Sequence, residues 1–251
     1  MASAAAVRFA MGILGNIIAL FLFLSPMPTF INIYKKGSVE QYSPVPYLAT
    51  FFNCMFWVLY GLPFVHPNSI LVITINGAGI VIEVVYLLLF VIYSPNKKRL
   101  KLIVIAVLEV VFVGVVAVAV LRLVHGIKDC SRVIGIIAIV GNIMMYAAPL
   151  SVMKMVITTK SVEYMPFSLS FASMCNGVAW TIYAIHPFDP YIAGPNGLGT
   201  VFSVAQLILY AAYYNPTQEQ ITARKVKAQM GLTEVVVSHD QFNKVSNISA
   251  R

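Results

Sequence analysis

The sequence predicts an all-α integral membrane protein with seven transmembrane helices, arranged as two parallel three-helix repeats joined by a linker helix. Hydrophobic residues make up 59% of the 251 residues, charged residues only 10%, and the mean hydropathy is +0.84. A soluble domain has about 25% charged residues and needs them to coat its surface. The composition therefore excludes a soluble enzyme, a disordered chain and a disulfide-rich secreted domain. An internal repeat predicts how the helices are grouped.

Seven apolar runs are each long enough to cross a bilayer, which takes about 20 residues for a hydrocarbon core of about 30 Å. The predicted spans are 9–33, 45–65, 69–93, 102–124, 133–156, 166–185 and 191–214. They divide the chain into a first triple-helix bundle over 1–94, a linker helix over 95–130, and a second bundle over 131–215. The polar composition of the remainder predicts a disordered cytoplasmic tail over 216–251.

The basic residues predict the orientation. With the amino terminus outside and the carboxyl terminus in the cytoplasm, 13 of the 17 Lys and Arg residues fall on the cytoplasmic side. This agrees with the excess of positive charge found in cytoplasmic loops. We therefore assign the net charge of +8 to membrane orientation and expect no nucleic acid partner.

Motifs recur along the chain at a nearly constant offset, which indicates a duplication. Three of them recur in order, namely Ser38-Val39-Glu40 as Ser161-Val162-Glu163, Trp57 and Tyr60 as Trp180 and Tyr183, and Asn76-Gly77 as Asn196-Gly197. Each copy contains three spans, so the intervening fourth span makes the copies parallel. The interface between parallel repeats is the natural place for a solute path. Duplication for packing alone is the alternative.

Asn76 and Asn196 are polar side chains inside apolar spans, and they are repeat partners. A buried amide without a partner costs about 2–7 kcal/mol in an apolar medium. Such a group bonds a neighbouring helix or faces a cavity or ligand. Because both would converge on one axis, we favour a shared cavity.

Trp57 and Trp180 are the two tryptophans of the chain, and they are also repeat partners. Tryptophans often lie in an aromatic belt at the membrane interface. Alternatively, two indole faces and two carboxamides suit a neutral, ring-shaped polar cargo such as a sugar, because amides donate and accept hydrogen bonds. Glu83 and Glu109 are acids within spans, where ionisable residues are functional candidates. Neither has an acidic repeat partner, so facilitated diffusion is simpler than a proton relay.

Over residues 9–215 the sequence resembles the plant SWEET sugar transporters of the MtN3/saliva type. The shared motifs are Gly15-Asn16, Leu22-Phe23-Leu24-Ser25-Pro26, Lys36-Gly37-Ser38-Val39-Glu40, Tyr60-Gly61-Leu62-Pro63, Ile75-Asn76-Gly77, Ala148-Pro149-Leu150-Ser151, Lys160-Ser161-Val162-Glu163-Tyr164-Met165-Pro166 and Pro195-Asn196-Gly197-Leu198-Gly199. The resemblance implies a facilitative, bidirectional uniporter that moves a monosaccharide such as glucose by alternating access.

The resemblance also implies roles for individual residues. The residues expected to bind the sugar are Trp57, Asn76, Trp180, Asn196, Asn53, Asn142, Met145 and Asn176. Tyr60 and Asp189 match an extracellular gate, and four prolines match hinges near the cytoplasmic gate, namely Pro26, Pro46, Pro149 and Pro166. Because sucrose-carrying members tend to have a smaller residue at position 145, Met145 favours a hexose.

The implied partners are a hexose, the lipid bilayer and other copies of the chain in a homo-oligomer. We expect no catalytic residue, metal or cofactor, and a location in the plasma membrane or else the vacuolar membrane. Three alternatives stay open: a sucrose transporter of the same family, a heptahelical receptor, and a proton-coupled carrier of the PQ-loop type. The Pro-Gln dipeptide of that last type is missing, because Leu150 follows Pro149.

Overall fold

The chain is helical along most of residues 2–248, the part that the computed structural model describes, with side chains described over 3–230. The helices are α1 (Ala2–Leu24), α2 (Met27–Lys36), α3 (Val45–Gly61), α4 (Ile70–Tyr93), α5 (Asn96–Leu123), α6 (Ile127–Met145), α7 (Ala147–Thr159), α8 (Phe167–Tyr183) and α9 (Pro190–Ile248). In the described residues α1 and α2 form one interrupted span, as do α6 and α7, which gives seven spans. The predicted all-α class is confirmed.

The first span of each repeat breaks at a proline, where the sequence predicted one continuous run. A proline inside a helix cannot donate a hydrogen bond to the carbonyl four residues earlier, and its ring crowds that carbonyl. For Pro26 this carbonyl belongs to Leu22, which instead accepts a 2.7 Å bond from the Ser25 hydroxyl. For Pro149 it belongs to Met145, where α6 ends. The two breaks therefore fall at equivalent places.

Helix packing follows the same plan in both repeats. The third span packs on both of the others, so α4 contacts α1 and α3, while α9 contacts α6 and α8. Between the repeats, α1 packs on α8 and α3 packs on α6. The linker helix α5 lies outside this arrangement against α3, α4 and α6, with most of its apolar surface exposed. The interior of the bundle is thus enclosed by the two repeats.

The contact between α1 and α8 depends on glycine. A Cβ atom added at Gly15 would lie 2.7 Å from Nε1 of Trp180, and one added at Gly12 would lie 2.9 Å from Cδ2 of Tyr183. Small residues let two membrane helices approach closely. These glycines therefore allow Trp180 and Tyr183 to fit between the repeats.

The predicted disordered tail differs from the structure, in which α9 continues to Ile248. Residues 249–251 of that prediction lie outside the described residues. Thr217 is 2% exposed, and its hydroxyl accepts a 2.9 Å bond from the Val162 amide. Arg224 pairs with Glu163 at 2.6 Å. These contacts hold the first turns after the last span against the loop between α7 and α8, which the polar composition of the tail did not reveal.

The Tyr60 end of the bundle carries the loops over 62–69 and 184–189 together with the start of α1, because Arg8 contacts both Asn68 and Tyr183. The Pro26 end carries the loops over 37–44 and 160–166.

Candidate functional site

A central cavity with an empty volume of about 560 Å³ lies between the repeats. Its lining consists of small, aromatic and amide side chains, namely Ala19, Phe23, Asn53, Trp57, Val72, Ile75, Asn76, Asn142, Asn176, Trp180, Ile192 and Asn196. Seven of the eight residues predicted to bind the cargo are among them. None of these twelve described residues is ionisable, so the cavity offers indole faces and carboxamides to a neutral ligand.

Asn76 and Asn196 have the same local geometry. Nδ2 of Asn76 donates a 2.9 Å hydrogen bond to the Val72 carbonyl, and Nδ2 of Asn196 donates a 2.8 Å bond to the Ile192 carbonyl. A carboxamide has two N–H donors and one acceptor oxygen, and this bond uses one donor. The bond fixes each side chain against its own helix and leaves the second donor and the oxygen for the cavity.

The two indoles face the cavity from opposite repeats. Trp57 is 5% exposed and Trp180 is 6% exposed, so both lie inside the bundle and not in an aromatic belt. Nε1 of Trp57 donates to Oδ1 of Asn142 at 3.3 Å. Each indole also packs edge-on against the tyrosine three residues later, with ring centroids 5.5 Å apart for Tyr60 and 5.0 Å apart for Tyr183.

Asn53 and Asn176 are a further repeat pair, at the offset of 123 that also relates the tryptophans. In the described part of the chain, the buried Oδ1 atoms of both residues have no hydrogen-bond partner. Native proteins satisfy most buried polar atoms, so an unpaired one requires an explanation. A polar ligand in the cavity would supply one. The family resemblance points to each residue separately, and the constant offset reveals them as a pair.

The Tyr60 end is closed by a buried hydrogen bond between the repeats. The Tyr60 hydroxyl donates to the Asp189 carboxylate, at 3.0 and 2.9 Å from its two oxygens. Asp189 also accepts the amide protons of Tyr191 at 2.9 Å and Ile192 at 3.3 Å, so its carboxylate caps the start of α9. Tyr60 is fully buried and Asp189 nearly so. This predicted gate pair is therefore in contact.

A histidine that the sequence analysis did not single out completes this closure. The His66 ring stacks on Tyr60 with centroids 4.7 Å apart, and its Nε2 lies 3.5 Å from Asp189. Burial lowers the pKa of His66, and the Asp189 carboxylate opposes that effect. On the other side, Arg8 donates to the Tyr183 hydroxyl at 3.1 Å and lies over its ring. Both repeat-equivalent tyrosines thus form contacts between the repeats at this end.

A second cavity, with an empty volume of about 1000 Å³, lies toward the Pro26 end. It shares five lining residues with the central cavity, namely Ala19, Phe23, Asn53, Asn142 and Asn176. Met145 lines this second cavity and not the central one, together with Pro26 and Pro46. The other two predicted hinge residues, Pro149 and Pro166, line neither the central cavity nor the second cavity. The space inside the bundle therefore extends from the paired indoles toward the Pro26 end.

The described residues contain no group of three or more His, Cys, Asp and Glu side chains that could hold a metal ion.

Comparisons with known proteins agree with this architecture. A family model described as "Sugar efflux transporter for intercellular exchange" matches residues 9–98 and 132–218, which correspond to the two repeats. Bidirectional sugar transporter SWEET4 of Oryza sativa subsp. indica is 56% identical over 252 residues, which cover 100% of this chain and 97% of the relative. Bidirectional sugar transporter SWEET7 of Arabidopsis thaliana is 57% identical over 220 residues, which cover 87% of this chain and 85% of the relative.

A solved structure is similar as well. It is described as the 3.7 Å resolution structure of a eukaryotic SWEET transporter, and it matches this chain with a TM-score of 0.82 and 38% identity. The match covers 84% of this chain and 99% of that one. The likeness therefore extends over most of both chains.

Proposed function

Because this chain belongs to the SWEET family of integral membrane sugar transporters, as its motifs predicted, we propose that it is a bidirectional uniporter that moves a monosaccharide such as glucose by alternating access. The relatives are named transporters, and the expectation that the chain is no enzyme is confirmed on that ground. The heptahelical receptor and the PQ-loop carrier are left without support.

The single observation that carries the proposal is the cavity between the repeats, with Trp57 and Trp180 contributing indoles and Asn76 and Asn196 contributing carboxamides. The apolar C–H face of a sugar ring packs on an indole, while amide groups both donate to and accept from hydroxyls. A charged cargo would need buried counter-charges, because an unpaired charge is costly to bury. Asn53, Asn142 and Asn176 add hydrogen-bonding groups for further hydroxyls.

Alternating access is supported by the unequal ends of the bundle. Tyr60 and Asp189 close one end, and the second cavity leads from the central cavity toward the other. The distribution of Lys and Arg orients the Tyr60 end outward, with the amino terminus outside and the carboxyl terminus in the cytoplasm. The breaks at Pro26 and Pro149, with Pro46 and Pro166 at the starts of the second spans, are the hinges that let the Pro26 end close as the Tyr60 end opens.

The plasma membrane is the proposed location, with the vacuolar membrane as the other candidate, and homo-oligomers are proposed by analogy within the family. The proposed choice of a hexose over sucrose depends on Met145, which lines the second cavity.

Uptake of radiolabelled sugars into proteoliposomes containing the full chain tests the function. We expect saturable glucose flux in both directions, counterflow when unlabelled glucose is preloaded, little sucrose flux, and no change when a protonophore is added. Absence of any sugar flux would contradict the proposal. Sucrose flux equal to glucose flux would favour the disaccharide transporter, and flux abolished by the protonophore would favour proton coupling.

A further inference from the structure

Glu83 is a buried acid that neither the gate nor the central cavity uses. Its side chain on α4 is 3% exposed, and it lines the second cavity beside Tyr47 and Thr50 of α3. Oε2 of Glu83 is buried without a hydrogen-bond partner in the described part of the chain. Within the same residues, no cation lies within salt-bridge distance of this carboxyl group. An ionisable residue at membrane depth is a functional candidate, and its partner has to be identified.

The second repeat has no acid at the position that corresponds to Glu83. The counterpart of Glu83 at the offset of 120 is Ser203 on α9. The Ser203 hydroxyl donates a 2.9 Å bond to the Gly199 carbonyl of its own helix, so it is satisfied locally. The two repeats therefore build equivalent helices with a serine in one and a carboxyl group in the other. The carboxyl group of Glu83 is therefore an extra polar group of the first repeat, and it lines the second cavity.

The neighbours of Glu83 resemble the central site in chemistry. The Thr50 hydroxyl donates to the Pro46 carbonyl at 2.9 Å, which leaves its oxygen as an acceptor. The Tyr47 ring packs on Phe30 with centroids 4.8 Å apart, which fixes one aromatic wall. The unpartnered amide oxygens of Asn53 and Asn176 border both cavities. A sugar leaving the central cavity toward the Pro26 end thus passes an aromatic ring, a hydroxyl and a carboxyl group.

We propose that Glu83, with Thr50 and Tyr47, forms a second sugar subsite between the central cavity and the Pro26 end. The Glu83 carboxyl group accepts hydrogen bonds from the hydroxyls of the sugar, which satisfy the buried oxygen. This subsite holds sugar that enters from or leaves toward the Pro26 side and is not part of the path on the Tyr60 side. The inference rests on the proposed hexose transport.

The test compares half-saturating glucose concentrations on the two sides of the membrane. Zero-trans uptake and efflux are measured with the full chain in cells that lack other hexose carriers. Glu83→Ala should raise the half-saturating concentration on the Pro26 side about tenfold. The concentration on the Tyr60 side should stay within about twofold, since binding there uses the central cavity. Glu83→Gln, which keeps an acceptor oxygen, should stay close to the wild type. Ser203→Ala is the matched control and should change neither value.

The variants give distinct outcomes. Equal changes on both sides, or no change for Glu83→Ala, would overturn the subsite. If Glu83→Gln is as defective as Glu83→Ala and its glucose flux becomes sensitive to pH, Glu83 acts as a proton relay and not as a sugar subsite. If Glu83→Ala does not fold, Thr50→Val decides, because an unchanged half-saturating concentration on the Pro26 side would also overturn the subsite. Wild-type protein without glucose flux would instead refute the proposed function, which keeps the two failures separate.

Discussion

The two loops at the Pro26 end have the same Ser-Val-Glu motif but are held in different ways. Val39 and Val162 are both buried as anchors. In the first repeat, Glu40 of the loop pairs with Lys36, the last residue of α2, at 2.9 Å, and both side chains are exposed. In the second repeat, Glu163 pairs with Arg224 of α9, and the Val162 amide donates to buried Thr217.

The contacts of the two loops thus differ, although both repeats contribute equivalent residues to the central cavity. The second loop is fixed to the last helix by backbone and side-chain bonds. They include 3.3 Å bonds from the Gln220 amide to the Thr159 carbonyl at the end of α7 and to the Lys160 carbonyl of the loop. The described hydrogen bonds and the ion pair of the first loop are local, although Val39 packs into the core formed by α2, α3, α4 and α5. We therefore expect the first repeat to move more than the second when the Pro26 end closes. Both repeats should contribute equally to the binding of sugar in the central cavity.

The largest expected effect tests the symmetric part of this comparison. Asn76→Ala and Asn196→Ala each remove one carboxamide from the central cavity. A sugar hydroxyl left without its partner costs about 1–3 kcal/mol, which corresponds to a loss of up to about a hundredfold in glucose flux. Both variants should still insert and fold, because each amide bonds only its own helix among the described contacts.

Initial rates of glucose uptake in proteoliposomes, with a melting curve for each variant, check this expectation. Leu88→Ala is the control, because Leu88 lies on the same helix as Asn76, is 54% exposed and lines neither cavity. Wild-type transport by both asparagine variants would refute the assignment of the site. Transport lost in one variant alone would show that the repeats contribute unequally.

The Tyr60 end gives the next largest effect. Tyr60→Phe removes the hydroxyl that donates to the buried Asp189 carboxylate. Hydrogen bonds to charged groups contribute about 1.5–3 kcal/mol. The closed state of this end should therefore lose stability, and exchange of glucose should slow about tenfold. Tyr183→Phe should slow it only about twofold, because the aromatic contact with Arg8 remains and contributes about 0.5–2 kcal/mol. Equal rates for the two variants would contradict this ranking.

Thr217→Val tests the tie of the second loop, and its effect is on stability. The substitution preserves shape but leaves the Val162 amide without an acceptor. This should lower the free energy of unfolding by about 1–3 kcal/mol. Arg224→Ala should cost less than about 1 kcal/mol, because the ion pair with Glu163 is exposed. Thermal denaturation in detergent measures both. A larger loss for Arg224→Ala would show that the ion pair and not the buried hydroxyl holds the loop.

Much of the fold and of the central cavity was predictable from the sequence. Hydropathy located the seven spans, and the repeat placed Trp57 with Trp180 and Asn76 with Asn196, because both signals depend on local residue order. The tie of Thr217 to Val162 was not predictable, since it joins residues from separate segments. The unpartnered Glu83 oxygen and the stack of His66 on Tyr60 were missed for the same reason. Burial and partners depend on how helices pack, which periodicity does not determine.

The smallest expected effect concerns selectivity. Met145 lines the second cavity, and its counterpart in the first repeat, Leu22, lines the same cavity. Met145→Val shortens a flexible side chain and should widen the way for a disaccharide, which raises the sucrose-to-glucose flux ratio about threefold with little change in glucose flux. Competition between labelled glucose and unlabelled sucrose measures that ratio. Leu22→Val is the matched control from the other repeat. If both variants raise the ratio equally, the width of the cavity and not Met145 itself sets the selectivity. An unchanged ratio in Met145→Val would show that Met145 has no role in selectivity.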